Sequence, residues 1–265
     1  VTIVAVAVLV ALTGWWFFTG IILWLVHLPK TRHMAVFYGA GVIFLGGLAS
    51  VPAVSQSLSV SNAVLGFTLA IILWGWLEMG YLMGIIGGLH TKSCPPGASL
   101  GRRARDGLAT CLYHEITVLA TALVIYVLSI GDNPTILWTF LTLLLMRWSA
   151  KLNLILGVRN YNRDWLPCAL TYVDSYVQRR TMNVLFPVSI VVSGWACFAM
   201  VDGALMSILV AEKVAFILIA TLIFLGLIEH IFLMLPIGEG RLWSWAAPQI
   251  SASNKNQERL CSQSE

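Results

Sequence analysis

Residues 146–167, MRWSAKLNLILGVRNYNRDWLP, decide how the chain is read. The stretch starts at the end of an apolar run, 136–146, and leaves it through two cations, Arg147 and Lys151. Four residues apart, these share one face of a helix. A charge inside an apolar span is costly and marks a functional site by default. Asn153 follows two residues after Lys151, and the chain holds carboxylates and imidazoles in three other apolar runs. Those groups are the expected partners of the pair.

Composition sets the class. The 265 residues are 58% hydrophobic and 11% charged, with a mean hydropathy of +0.84. A soluble domain carries roughly 25% charged residues. The chain therefore reads as a polytopic membrane protein with no separate soluble domain, and no nucleic-acid partner is expected. Its five cysteines contain no CxxC pair. Neither a zinc site nor a disulfide framework is indicated, and no metal ligands are assigned. Residues 1–26 are too long an apolar stretch for the core of a signal peptide and read as a retained first span.

A span needs about 20 mostly apolar residues. Seven stretches qualify: 2–26, 34–54, 62–89, 107–130, 134–156, 184–206 and 212–236. They predict an all-α helix bundle. Residues 1–248 form a single transmembrane domain, 157–183 an interfacial segment and 249–265 a polar tail. No internal repeat is visible. Loops 27–33, 90–106 and 157–183 and the residues after 236 together hold thirteen of the sixteen Lys and Arg, whereas the opposite side holds only Lys213. The positive-inside rule then sets the N-terminus outside and the C-terminus in the cytoplasm.

Segment 157–183 interleaves Tyr161, Trp165, Leu166, Leu170, Tyr172, Val173 and Tyr176 with Arg159, Arg163, Asp164, Asp174, Arg179 and Arg180. This pattern fits an amphipathic helix in the headgroup plane with Pro167 in its first turn. It equally fits an inner loop with aromatic anchors.

Depth follows from helix rise. Glu78 lies about 18 Å of helix before His90, and His114 and Glu115 about 12 Å after Asp106. Arg147 and Lys151 lie about 15 and 9 Å before Gly157, and Glu229 and His230 about 10 Å before Pro236. All sit in the cytoplasmic half of the bilayer. Glu78, Glu115 and Glu229 are expected to face inward and to pair with Arg147, Lys151, His114 or His230, because a lone buried carboxylate is expensive. Three readings stay open: an ion-pair network that fixes helix register, a ligand or pigment site with a neutral histidine as metal ligand, and intramembrane metal or acid–base catalysis. Against catalysis, His114-Glu115 and Glu229-His230 are adjacent pairs, about 100° apart on a helix, and ExxH spacing is absent.

Gly80, Gly84 and Gly88 recur at four-residue spacing and suggest close helix approach in the third span. Of eleven Trp, most read as interface anchors, while Trp74, Trp76 and Trp148 are candidates for lining a pigment or lipid groove. Cys94-Pro95-Pro96-Gly97 reads as a rigid turn.

Several segments together carry a resemblance. They are KSCPPGAS (92–99), LYHE (112–115), MRWSAKLNLILGVRNYN (146–162), Leu166-Pro167, Ser175-Tyr176 with Arg179-Arg180, MNVLFP (182–187) and LIEHIFLMLP (227–236). From Trp76 to Trp245 the chain is similar to the PuhE family, also called photosynthetic complex assembly protein 2. Ile155 and Val177 stand where the family pattern has Phe. The resemblance implies a gene near that of the reaction-centre H subunit. It also implies a bacterial inner, intracytoplasmic membrane and a non-enzymatic role in assembling reaction centre and light-harvesting subunits and in bacteriochlorophyll supply. On that basis His114, His230, Trp74 and Trp148 are the candidate pigment contacts, for bacteriochlorophyll or a precursor. Glu78, Glu115, Arg147, Lys151, Asn153 and Glu229 form the candidate buried network. Arg159, Arg163, Trp165, Tyr172, Tyr176, Arg179 and Arg180 are candidates for docking partner subunits or membrane lipid. The alternatives are an intramembrane enzyme built on the Glu/His layer and a scaffold without ligand.

Overall fold

The structure, a computed structural model, describes residues 2–161, 166–235, 243, 245 and 246. Eight α-helices follow one another among them: α1 Thr2–Val26, α2 Lys30–Ser55, α3 Val60–Leu82, α4 Leu100–Ala109, α5 Leu112–Leu128, α6 Thr135–Leu156, α7 Leu185–Met206 and α8 Val210–Phe232. A short 3-10 helix, Cys168–Tyr176, lies between α6 and α7. Six helices are long and apolar enough to cross a membrane, or seven if the bent pair α4–α5 counts as one span. The chain is an all-α, multi-pass membrane helix bundle.

Turn chemistry sets the boundaries. Pro29 and Pro134 stand immediately before α2 and α6, and Ser59 and Ser99 cap α3 and α4 by accepting from Asn62 N–H and Arg102 N–H. On one side of the bundle, buried Asn133 staples three helix ends. Its Nδ2 donates to Val54 O and Asn62 O, both at 3.0 Å, and its Oδ1 accepts from Thr135 N–H and Oγ1.

Helices α3 and α8 are the centre. The first packs against α1, α2, α5, α6 and α8, the second against α1, α3, α6 and α7. One apolar cluster joins Phe44, Leu73, Leu77, Val118, Ile125 and Phe140 across α2, α3, α5 and α6. A second joins Ala11, Phe67, Leu218 and Leu222 across α1, α3 and α8. The outer faces stay apolar, as on α7, where Val191, Trp195, Phe198 and Leu205 are exposed. That is the pattern expected of surfaces meeting acyl chains.

Three expectations are corrected. The third run, 62–89, is not one helix: α3 ends at Leu82. Gly84 takes φ +74°, donates to Tyr81 O at 2.9 Å, and Ile85 N–H reaches Gly80 O at 2.9 Å. This is a Schellman stop, which favours glycine at the left-handed position. Gly80, Gly84 and Gly88 therefore do not share a helix face. Gly88 instead presses against the backbone of Ala109, Thr110 and Cys111, where α4 and α5 are bent by 61°. Leu89 N–H and His114 N–H find Ala109 O and Gly87 O across that contact. The loop thus satisfies backbone groups that the break exposes.

The described part of segment 157–183 carries a 3-10 helix and not the expected α-helix, and it forms a lid over the bundle end. Pro167 precedes its 3-10 helix, Leu170 and Tyr176 are buried, and Tyr176 Oη donates to Lys92 O at 2.8 Å. Burial pushes the Tyr176 phenol above its ordinary range, so it stays a donor. Trp243 and Trp245 pack on α1. Trp243 Nε1 donates to Trp16 O at 3.0 Å, and Trp245 covers Gly20 of α1.

Gly88→Ala is expected to destabilise the detergent-solubilised protein by about 1–3 kcal/mol, read as a lower thermal midpoint. Gly39→Ala, whose added Cβ meets nothing within 4 Å, is expected to be neutral or slightly stabilising.

Candidate functional site

Helix periodicity gives α6 two polar faces. Arg147 and Lys151 point to α3 and α5; Ser149 and Asn153, displaced by about 200°, point to α7 and α8. Each face meets its own partners.

On the first face, Arg147 Nη2 lies 3.1 Å from Glu78 Oε2, and His114 Nε2 lies 3.7 Å from Glu78 Oε1. Lys151 pairs with Glu115 Oε1, whose other oxygen accepts from Trp148 Nε1 at 2.5 Å. Tyr81 bridges the two pairs: its ring is 4.9 Å from the His114 ring and 5.2 Å below Lys151 Nζ. Glu78 is in the last turn of α3 and Glu115 in the first turn of α5. The layer is therefore closer to the helix ends than the apolar runs suggest, because α3 stops early. A carboxylate suits the positive end of α5 but not the negative end of α3. Glu78 depends the more on Arg147.

On the second face, buried His230 Nδ1 reaches Gly226 O at 2.7 Å. A carbonyl only accepts, so this nitrogen carries the proton. The other ring nitrogen, Nε2, lies 2.8 Å from Ser149 Oγ. Ser149 Oγ donates to Ser189 Oγ at 3.0 Å, and Ser189 Oγ also accepts from Asn153 Nδ2 at 3.0 Å. Asn183 completes the series through Asn153 O and Gly157 O. Sequence reasoning missed Ser149, Ser189, Asn183 and Asn133. The i,i+4 repeat of Ser149 and Asn153 beside that of Arg147 and Lys151 was the available signal.

The two faces differ in saturation. Glu78 Oε1, His114 Nδ1 and Arg147 Nε are buried with no hydrogen-bond partner among the described residues; on the other face only Asn153 Oδ1 is. Such atoms cost about 1–3 kcal/mol each and are a known mark of functional centres. Arg147 and Leu82 also line both of two cavities, of about 220 and 230 Å³. The first lies under the lid, with Lys151, Cys111 and Tyr176 in its wall. The second lies between α1, α3, α6 and α8, with Glu78, Trp74 and Glu229 in its wall.

The remaining candidates sort as follows. Glu229 is exposed and shares the second cavity with Glu78 and Arg147. Trp74 is buried edge-on to Phe140 at 5.4 Å. Trp76 is not in either cavity wall: it donates to Phe37 O at 3.0 Å and stacks on Phe37 and Phe44. Both ring nitrogens of His230 are engaged, which leaves neither open to a metal in this arrangement. Arg159, Arg179 and Arg180 are exposed, Tyr172 half-buried and Tyr176 buried. Arg163 and Trp165 lie outside the described residues. Among the described residues no three His, Cys, Asp or Glu gather closely enough to hold a metal ion.

The sequence model of the family described as "Protein of unknown function (DUF3623)" matches residues 1–254. The chain belongs to this family. It is also 36% identical over 250 residues, 91% of each chain, to a Rhodobacter capsulatus protein described as "Uncharacterized 30.4 kDa protein in puhA 5'region". No solved structure matches it.

Arg147→Met is expected to destabilise this DUF3623 protein by about 3–5 kcal/mol, because it strands a buried carboxylate. Glu78→Gln combined with Arg147→Met should recover much of that loss. Thermal unfolding of the two single variants and the double variant measures the coupling.

Proposed function

We propose that this protein is an assembly factor for the bacterial photosynthetic reaction centre and its light-harvesting complex, with the Glu78–Arg147–His114 and Glu115–Lys151 groups as its working centre. The observation that carries the reading is the full-length likeness to a protein whose printed name sets it in a puhA 5′ region. The PuhE resemblance points the same way, and its motifs coincide with the centre. LYHE supplies His114 and Glu115, MRWSAKLN supplies Arg147, Trp148, Ser149, Lys151 and Asn153, MNVLFP supplies Asn183, and LIEHIF supplies Glu229 and His230. In this reading the membrane is the bacterial inner membrane, with the C-terminus and the basic loops in the cytoplasm.

Bacteriochlorophyll handling is the finer part of the proposal. His114 is the better candidate ligand, since its Nδ1 has no partner among the described residues while His230 is engaged on both sides. His114 is only 1% exposed, and both cavities fall below the roughly 300–1,000 Å³ of a usual small-molecule site. A pigment would therefore reach it only as α3 and the α4–α5 break part, and Gly88 packs on that break. Protein subunits of the complex would meet the exposed apolar faces of the outer helices.

The test is genetic and spectroscopic. Deleting the gene in a phototrophic host should lower the near-infrared absorption of the assembled complex, and the wild-type gene should restore it. Glu115→Gln protein that accumulates normally yet fails to restore the bands supports a working centre. If it restores them fully, the charges only hold the helices together. Protein purified from a pigment-making host should carry bacteriochlorophyll absorption that His114→Leu removes; colourless wild-type protein rejects the pigment role.

A further inference from the structure

The amphipathic surface helix of this protein is α4, outside the segment where the aromatic–basic pattern points. Helix α4, Leu100–Ala109, turns 61° away from α5. Its ten residues divide into three strips. Asp106 and Gly107 are buried, and Arg103 Nη1 on the same side clamps Ser175 O of the lid at 2.5 Å. At about 100° per residue, Leu100, Ala104 and Leu108 share a second strip within roughly 80°. Both leucines are exposed, at 43% and 42%. Leu89, 61% exposed, stands beside the C-terminal end of the helix, where its N–H is held by Ala109 O at 2.8 Å. Arg105 and Arg102 fill the third strip, beside the leucines, with side chains 77% and 57% exposed.

The two arginines are held, not loose. Asp106 Oδ1 accepts from Arg105 Nε at 3.0 Å and Asp106 Oδ2 accepts from Arg102 Nε at 3.4 Å. One buried carboxylate thus grips both guanidinium groups by the inner nitrogen and leaves the outer Nη pairs to the surface. The three residues sum to one positive charge. Exposed Lys92 stands on the loop whose carbonyl accepts from Tyr176 Oη, and the Tyr176 ring lies against Gly107 of this helix.

We propose that α4 lies in the membrane interface and binds an anionic phospholipid, with Arg102 and Arg105 on the headgroup phosphate and Leu89, Leu100 and Leu108 against its acyl chains. Planar guanidinium forks match a phosphate in a way that point charges do not. A soluble anion would leave the leucine strip in water without a purpose. A lipid accounts for both strips at once, which is the usual logic of an interfacial helix. Held from below by Asp106, the two forks lose little freedom on binding. Nothing in this site belongs to the Glu78–Arg147 centre, so it stands or falls independently of the assembly role.

Native mass spectrometry of the full chain tests it. The delipidated protein would be offered an equal mixture of phosphatidylglycerol and phosphatidylcholine in neutral detergent. Wild-type protein should retain phosphatidylglycerol in preference, with the preference falling as salt rises. Arg102→Gln with Arg105→Gln should weaken retention by about tenfold or more, the scale for two cations lost near an anionic surface. Arg102→Lys with Arg105→Lys, which keeps the charge, should give an intermediate loss. Equal retention of both lipids by the wild type overturns the proposal, and it would then leave the basic plate to an acidic protein partner. Undiminished preference in the folded Gln variant, checked by circular dichroism, also overturns it.

Discussion

Two cations on one face of α6 impose the interior of this protein. A guanidinium and an ammonium inside an apolar bundle are tolerable only with partners at short range. Arg147 finds Glu78 and Lys151 finds Glu115. That requirement brings α3 and the start of α5 against α6 and fixes their rotation. Glu78 lies close to the C-terminal end of α3 and Glu115 in the first turn of α5. At those ends the chain has loops and freed backbone groups, and the layer sits where the bundle meets its polar cap.

The same helix solves a second problem on its other side. Ser149 and Asn153 link α6 to α7 and α8 through neutral hydrogen bonds that converge on Ser189 Oγ and reach the His230 ring, which in turn is held by Gly226 O. Neutral partners avoid the desolvation cost of ion pairs. This half reads as structural, since nearly every donor and acceptor is used. The charged half keeps unused hydrogen-bonding capacity beside two cavities. The difference in saturation, more than the presence of charge, is the ground for proposing the Glu78–Arg147–His114 centre as the working part of the molecule.

Between the layer and the aqueous side stands a cap made from pieces that sequence alone keeps apart. Gly88 wedges into the α4–α5 break, Tyr176 locks onto the 92 region, and Arg103 holds the lid. Because these contacts cover the first cavity, any access to Arg147 and Lys151 from that side passes through the cap. Few apolar residues are buried there compared with the α3–α8 core, so the cap is the part of the molecule best suited to open locally.

Composition and hydropathy alone determined the membrane class, the all-α architecture, the approximate spans and the identity of the ionisable residues that needed partners. Those features follow from one-dimensional rules: a span needs a length of apolar residues, and a charge within it needs company. The i,i+4 spacing of Arg147 and Lys151 even gave their common face. Which carboxylate meets which cation was not legible, because the partners are more than thirty residues apart in sequence, and pairing depends on helix neighbours that hydropathy does not encode. The early stop of α3, the bend between α4 and α5 and the packing of Cys168–Tyr176 as a 3-10 lid were likewise decided by tertiary structure. Apolar residues continue past Leu82, so hydropathy sees no boundary. The helix ends where Gly84 can turn the backbone and where the returning loop can satisfy the groups that the turn exposes.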